Sequence, residues 1–193
     1  MALLIFGLVL FLGVHFAKVL FPGFRARIIA ARGENVWKGG YTVLSLIGLV
    51  AVIWGYGAAR DASDIYWVAP GWVRPVVWVM VLAAFILTID SNVNGRPGHI
   101  SSTVRHPMTL AVILWAAAHL TINGDTAAVI LFGSFLVWSV SVAVSAYQRP
   151  VSANGPAIAP AIGPDVVAVL VGTALWLVFF LWGHLYLFGV SPY

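Results

Sequence analysis

Cysteine is missing altogether from the 193 residues. The chain therefore forms no disulfide, no iron–sulfur cluster, no thiolate-ligated haem and no haem attached through a C-x-x-C-H motif. Charge is nearly as scarce: Asp, Glu, Lys and Arg make up 8% of the chain, against about 25% in a soluble domain. Glutamate occurs once, as Glu34, so there is no H-E-x-x-H motif and no carboxylate-rich helix face. Catalytic zinc and di-iron carboxylate chemistry have no ligand set here, and no Ser-His-Asp or P-loop pattern can be placed.

Apolar sequence fills the space left over. Hydrophobic residues account for 62% and the mean hydropathy is +1.00. Six apolar stretches can be read, at 2–21, 41–58, 72–89, 108–122, 126–147 and 165–189. A membrane helix needs roughly 20 such residues. The expected fold is an all-α integral membrane protein: one domain over residues 1–193, six transmembrane helices in a bundle, short loops. The first stretch is expected to be a retained helix, because its first positive charge, Lys18, follows the apolar run and no small-residue cleavage site ends it.

The 10 Lys and Arg outnumber 6 acidic residues, for a formal charge of +4. In a soluble protein that excess would suggest nucleic acid. Here the charges stand between apolar runs and read as topology signals. Lys18, Arg25, Arg27, Arg32, Lys38, Arg96, Arg105 and Arg149 fall on one side of alternating loops, Arg60 and Arg74 on the other. The positive-inside rule then puts the basic loops in the cytoplasm and both termini on the outer side of the membrane. Asn123, Gly124 and Asp125 leave so little chain between two runs that a tight helical hairpin is expected, with Gly124 in a left-handed turn and Asp125 capping the next helix. The Pro-, Ala- and Gly-rich 150–164 stretch is expected to be an irregular cytoplasmic loop. Stripes of small residues such as Gly133, Ser134 and Ser139 suit close helix contacts and permit an oligomer.

Ionisable groups within hydrocarbon are costly, so the buried histidines are the natural functional candidates. His15, His119 and His184 lie within apolar runs, and His106 sits beside Arg105 at the mouth of the fourth. At about 1.5 Å of rise per residue, His15 lies roughly 9 Å into its span and His119 roughly 20 Å beyond His106. Side chains lean toward the helix amino end, so on antiparallel helices these two imidazoles lean toward one level. Two histidines on facing helices can hold one haem iron axially. They can equally act as interhelical hydrogen bonders and nothing more. Arg105 and His106 could pair with haem propionates or lipid phosphates, or serve topology alone. Asp90, with Ser91, Asn92 and Asn94, marks an interfacial helix terminus, where a proton or cation role is the alternative.

Several segments carry a resemblance: Arg105-His106-Pro107-Met108, Leu114 to Leu120 with His119, Asn123-Gly124-Asp125, Leu131 to Phe135, Gly13-Val14-His15 and Trp54-Gly55-Tyr56-Gly57. Together they resemble the signature of the NnrU family of bacterial membrane proteins, over nearly the whole chain. That resemblance implies a link to nitrite and nitric oxide (denitrification) metabolism. It also implies kinship with 15-cis-zeta-carotene isomerase, a membrane enzyme using haem b for redox-neutral cis–trans isomerisation. Through that kinship the haem-iron ligands fall on His15 and His119. Where the isomerase has a cysteine, this chain has Ala116, so no thiolate can take part. Three functions are thus expected to compete: a haem b protein of nitrogen-oxide metabolism with nitric oxide as ligand, an isomerase of a long apolar polyene, and a cofactor-free assembly protein.

Overall fold

Long apolar runs become helices because only a helix pairs every backbone N–H and C=O within its own segment. In the computed structural model, which describes residues 1–148 and 158–193 and at 18–20 and 22 the backbone alone, the elements follow the apolar runs closely. They are α1 (Ala2–Leu20), α2 (Pro22–Arg32), α3 (Glu34–Arg60), β1 (Ile65–Val68), α4 (Arg74–Asp90), α5 (His99–Val104), α6 (Pro107–Ile122), β2 (Asn123–Asp125), α7 (Thr126–Tyr147), α8 (Ile162–Val178) and α9 (His184–Phe188). A 3-10 turn, Gly71–Val73, precedes α4, and a π-helical segment, Phe179–Gly183, joins α8 to α9. Among the described residues four helical stretches are long and apolar enough to cross a membrane: Glu34–Arg60, Gly71–Asp90, Thr126–Tyr147 and Ile162–Phe188. Two shorter apolar helices are Ala2–Ala17 and Pro107–Ile122. Arg149 and most of the 150–164 stretch lie outside the described residues.

The chain divides into two compact units, residues 1–67 with 123–138, and residues 68–122 with 139–193. In the first unit α1 packs along α3 through small residues. A Cβ at Gly48 would lie 2.8 Å from the backbone nitrogen of Phe11, and one at Gly55 would run into the backbone of Leu3 and Leu4. Leu4, Leu8 and Leu12 of α1 and Ala51, Val52 and Ala59 of α3 are buried. Helix α3 starts seven residues ahead of its apolar run, its first turn carrying a Glu34–Lys38 pair at 3.1 Å.

One expected turn is different in kind. Gly124 is extended, within a short strand pairing β1 with β2, and it is not among the positive-φ glycines. Any Cβ there would run into Trp67, so the glycine serves close approach rather than a left-handed turn. Asp125 does cap α7, its Oδ1 accepting the Ala128 N–H at 2.9 Å. The amides of Thr126 and Ala127 are held by the Asp64 carbonyl and the Ser63 hydroxyl, at 3.0 and 3.2 Å.

In the second unit α4 packs against α6 and α8. Ala84, Leu87 and Ala111 form its centre, surrounded by Ile100, Val104, Leu110, Leu114 and Trp115. Gly172 of α8 sits so close to α4 that a Cβ would lie 2.7 Å from Ile86 Cα. The carboxyl-terminal tail returns to α4, the Trp78 indole donating to the Pro192 carbonyl at 3.0 Å.

Candidate functional site

His119 and His184 are brought together within the second unit. Their ring centres are 6.5 Å apart and their planes 20° from parallel. Each reaches that position by a local device. His119, in the last turn of α6, donates Nδ1–H to the Trp115 carbonyl one turn back, at 2.8 Å. Before His184 the helix opens into the π segment, a re-registration that often accompanies functional sites. Gly189 then ends α9 in the left-handed conformation (φ 69°), and the chain folds back so that Val190 accepts from His184 Nδ1 at 2.7 Å. Trp115 lies 5.2 Å from His119; Phe179 and Phe188 lie 5.9 and 5.1 Å from His184.

His15 belongs to the first unit. It donates Nδ1–H to the Phe11 carbonyl at 2.6 Å and stands among the rings of Phe11, Tyr41 and Trp138, at 4.3, 5.3 and 6.0 Å. A carbonyl oxygen only accepts, so in all three histidines Nδ1 carries the hydrogen, and Nε2 is the ring nitrogen a metal would take. That fixed tautomer is the usual second partner of a metal-bound imidazole. His15 and His119, the pair expected from the sequence, fall in different units.

The centre-to-centre distance also allows a fit test for a haem iron. A ring centre lies about 1.1 Å from its nitrogen, so two metal–nitrogen bonds of about 2.0 Å put opposed rings roughly 6.2 Å apart. The observed 6.5 Å is close to that length, between rings that lie stacked with planes 20° from parallel. Among the described residues no group of three His, Asp or Glu could hold a metal ion; an axial pair needs only two side chains.

Arg105 and His106 lie at the other end of α6, twelve helical steps from Pro107 to His119, or about 18 Å. Arg105 has φ 62°, and the Val104 carbonyl accepts His106 N–H across it at 2.7 Å, a strained γ-turn. Tyr147 braces this turn: its hydroxyl donates to the same carbonyl, its ring lies 5.4 Å beneath the Arg105 guanidinium, and the His106 ring meets it edge-on at 5.2 Å. Sequence reading missed Tyr147 here, and also Asp165. The Asp165 carboxylate caps α5 from α8, accepting the His99 and Ile100 amides at 2.8 and 3.0 Å and His99 Nδ1 at 2.8 Å. Gly98 makes room for it, since a Cβ there would run into that carboxylate.

No curated protein and no solved structure matches the chain. The sequence model of the NnrU protein family matches residues 3–192, and the apolar helices that carry those residues are those of a membrane protein. The chain belongs to the NnrU family.

Proposed function

We propose that this is a haem b-binding protein of the bacterial inner membrane with six spans, in which His119 and His184 would hold the haem iron. The two short apolar helices supply the fifth and sixth spans, and the basic loops set both termini in the periplasm. The observation that carries the haem reading is the near-parallel His119–His184 pair at 6.5 Å, each ring held in one tautomer by a backbone carbonyl. Haem b bound by two imidazoles supplies one-electron chemistry, and gas binding where one imidazole leaves. The chain's own groups orient the rings through the Trp115 and Val190 carbonyls, with Trp115, Phe179 and Phe188 packed beside them.

A second reading keeps the pair expected from the sequence, His15 with His119, and the same locked tautomer at His15 favours it. In that reading Arg105 and His106 keep their expected role toward the propionates. Absorption spectra of the purified protein and its single variants separate the two. The first expects His119→Ala and His184→Ala to lose the Soret band while His15→Ala keeps it; the second exchanges His184 and His15. A haem-loaded protein indifferent to all three changes overturns both ligand assignments; no Soret band after expression with ample haem overturns both readings and leaves a cofactor-free assembly protein.

The family's name points to nitrite and nitric oxide metabolism, and a nitric oxide or carbon monoxide difference spectrum tests that link. The isomerase alternative predicts conversion of a cis polyene in a carotenoid-producing host.

A further inference from the structure

Between the end of α4 and the start of α6 the chain loops through α5 and forms an open cavity of about 420 Å³. Asp90, Ser91, Arg96, Ser101, Arg105 and His106 are among the residues that line it. Asp90 is only 5% exposed, and both of its carboxylate oxygens are buried with no hydrogen-bond partner among the described residues. Burying a carboxylate unpartnered is among the costlier things a fold can do. Asp165 adds its charge to that of Asp90 from α8, but its own oxygens are taken by His99 and Ile100. The acidic end of the cavity is therefore short of hydrogen-bond donors.

Two arginines line the same cavity without supplying them. Arg96 donates to the Ala159 carbonyl at 2.9 Å, and Arg105 lies over Tyr147, held there by its strained turn. Among the described ion pairs none joins either arginine to Asp90. Positive and negative ends are thus built into one small space and kept apart.

A guest that satisfies both ends carries an anionic group for the arginines and an N–H-bearing cation for Asp90. The cavity lies where one apolar helix ends and another begins, the depth at which lipid headgroups sit. We infer that it binds the headgroup of a membrane phospholipid bearing a primary ammonium: the phosphate meets Arg96 and Arg105, and the ammonium donates to the two Asp90 oxygens. A primary ammonium has three donors, as in lysine. A trimethylated one has none, and a glycerol headgroup brings no positive charge. The inference is independent of haem.

The test is lipid binding to the purified full-length protein in detergent, followed by native mass spectrometry with phosphatidylethanolamine, phosphatidylcholine and phosphatidylglycerol. Phosphatidylethanolamine is expected to bind about tenfold or more tightly than either rival, the size of a charge-assisted hydrogen bond. Asp90→Asn should close the gap between the ethanolamine and choline lipids, and Arg105→Gln should weaken all three. Equal binding of the ethanolamine and choline lipids by the unaltered chain overturns the inference and needs no variant. A gap that persists in Asp90→Asn overturns it too. Glycerophosphoethanolamine identifies the source: competition as strong as that of the lipid assigns the site to a soluble headgroup and overturns the lipid assignment, and weaker competition supports it.

Discussion

The seam between α1 and α3 and the junction around α5 solve the same problem in opposite ways. The seam removes side chains: Gly7, Gly48 and Gly55 let two backbones meet, and the contact is van der Waals packing, the main attraction available between helices in lipid. The junction adds polar groups: Asp165, His99, Tyr147 and the Val104 carbonyl hold short, irregular backbone in place. A seam built on absence should fail when something is put in. A junction built on hydrogen bonds should fail when something is taken away.

The largest expected effect is at the seam. Gly55→Leu should destabilise by about 3 kcal/mol or more, since the clash is with backbone that cannot repack. Gly57, two residues on, faces open space; Gly57→Leu should leave the protein unharmed or gain up to about 1 kcal/mol of helix propensity. Thermal melts of the two variants in detergent check the contrast, and equal melts would break it. Next comes Asp165→Asn, expected to lower the melting temperature less than Gly55→Leu. Its amide hydrogen exchange should rise at His99 and Ile100 while α1 and α3 stay protected. Tyr147→Phe removes one hydrogen bond and should cost about 1 kcal/mol, visible as faster exchange around Val104 and His106. Smallest is Lys38→Ala: its partner Glu34 is solvent-exposed, and the loss should stay under about 0.5 kcal/mol in the same melts.

The two regions also differ in how far they were legible. Apolar runs are a local property, so the helices of both units stood out in the sequence, and their observed ends fall within a few residues of the expected ones except where α3 starts early. Helices α2 and α5 did not stand out, because neither is apolar enough to make a run. Gly124 was read as a turn because glycine signals backbone freedom and lack of a side chain alike. Trp67, more than fifty residues away, decides which of the two operates.

The site shows the same division. His15, His119 and His184 were conspicuous as ionisable groups in hydrocarbon, and each holds a backbone carbonyl. Which two share a location depends on the π segment and on Gly189, whose effect on His184 comes from the path of the chain and leaves no mark in spacing. Asp90 looked like an ordinary helix terminus. Its want of a partner is a property of every element packed around it, and no single stretch of sequence carries that information.

By itself, then, the sequence determined the solvent, the helices and the short list of polar groups that hydrocarbon makes expensive, because transfer free energy accumulates residue by residue along the chain. The tertiary structure alone decided that His184 lies beside His119, that among the described residues Asp165 is satisfied while Asp90 is not, and that Arg105 lies over Tyr147. Hydrogen bonds and ring contacts act over a few ångströms, and only folding sets which distant residues come within that range.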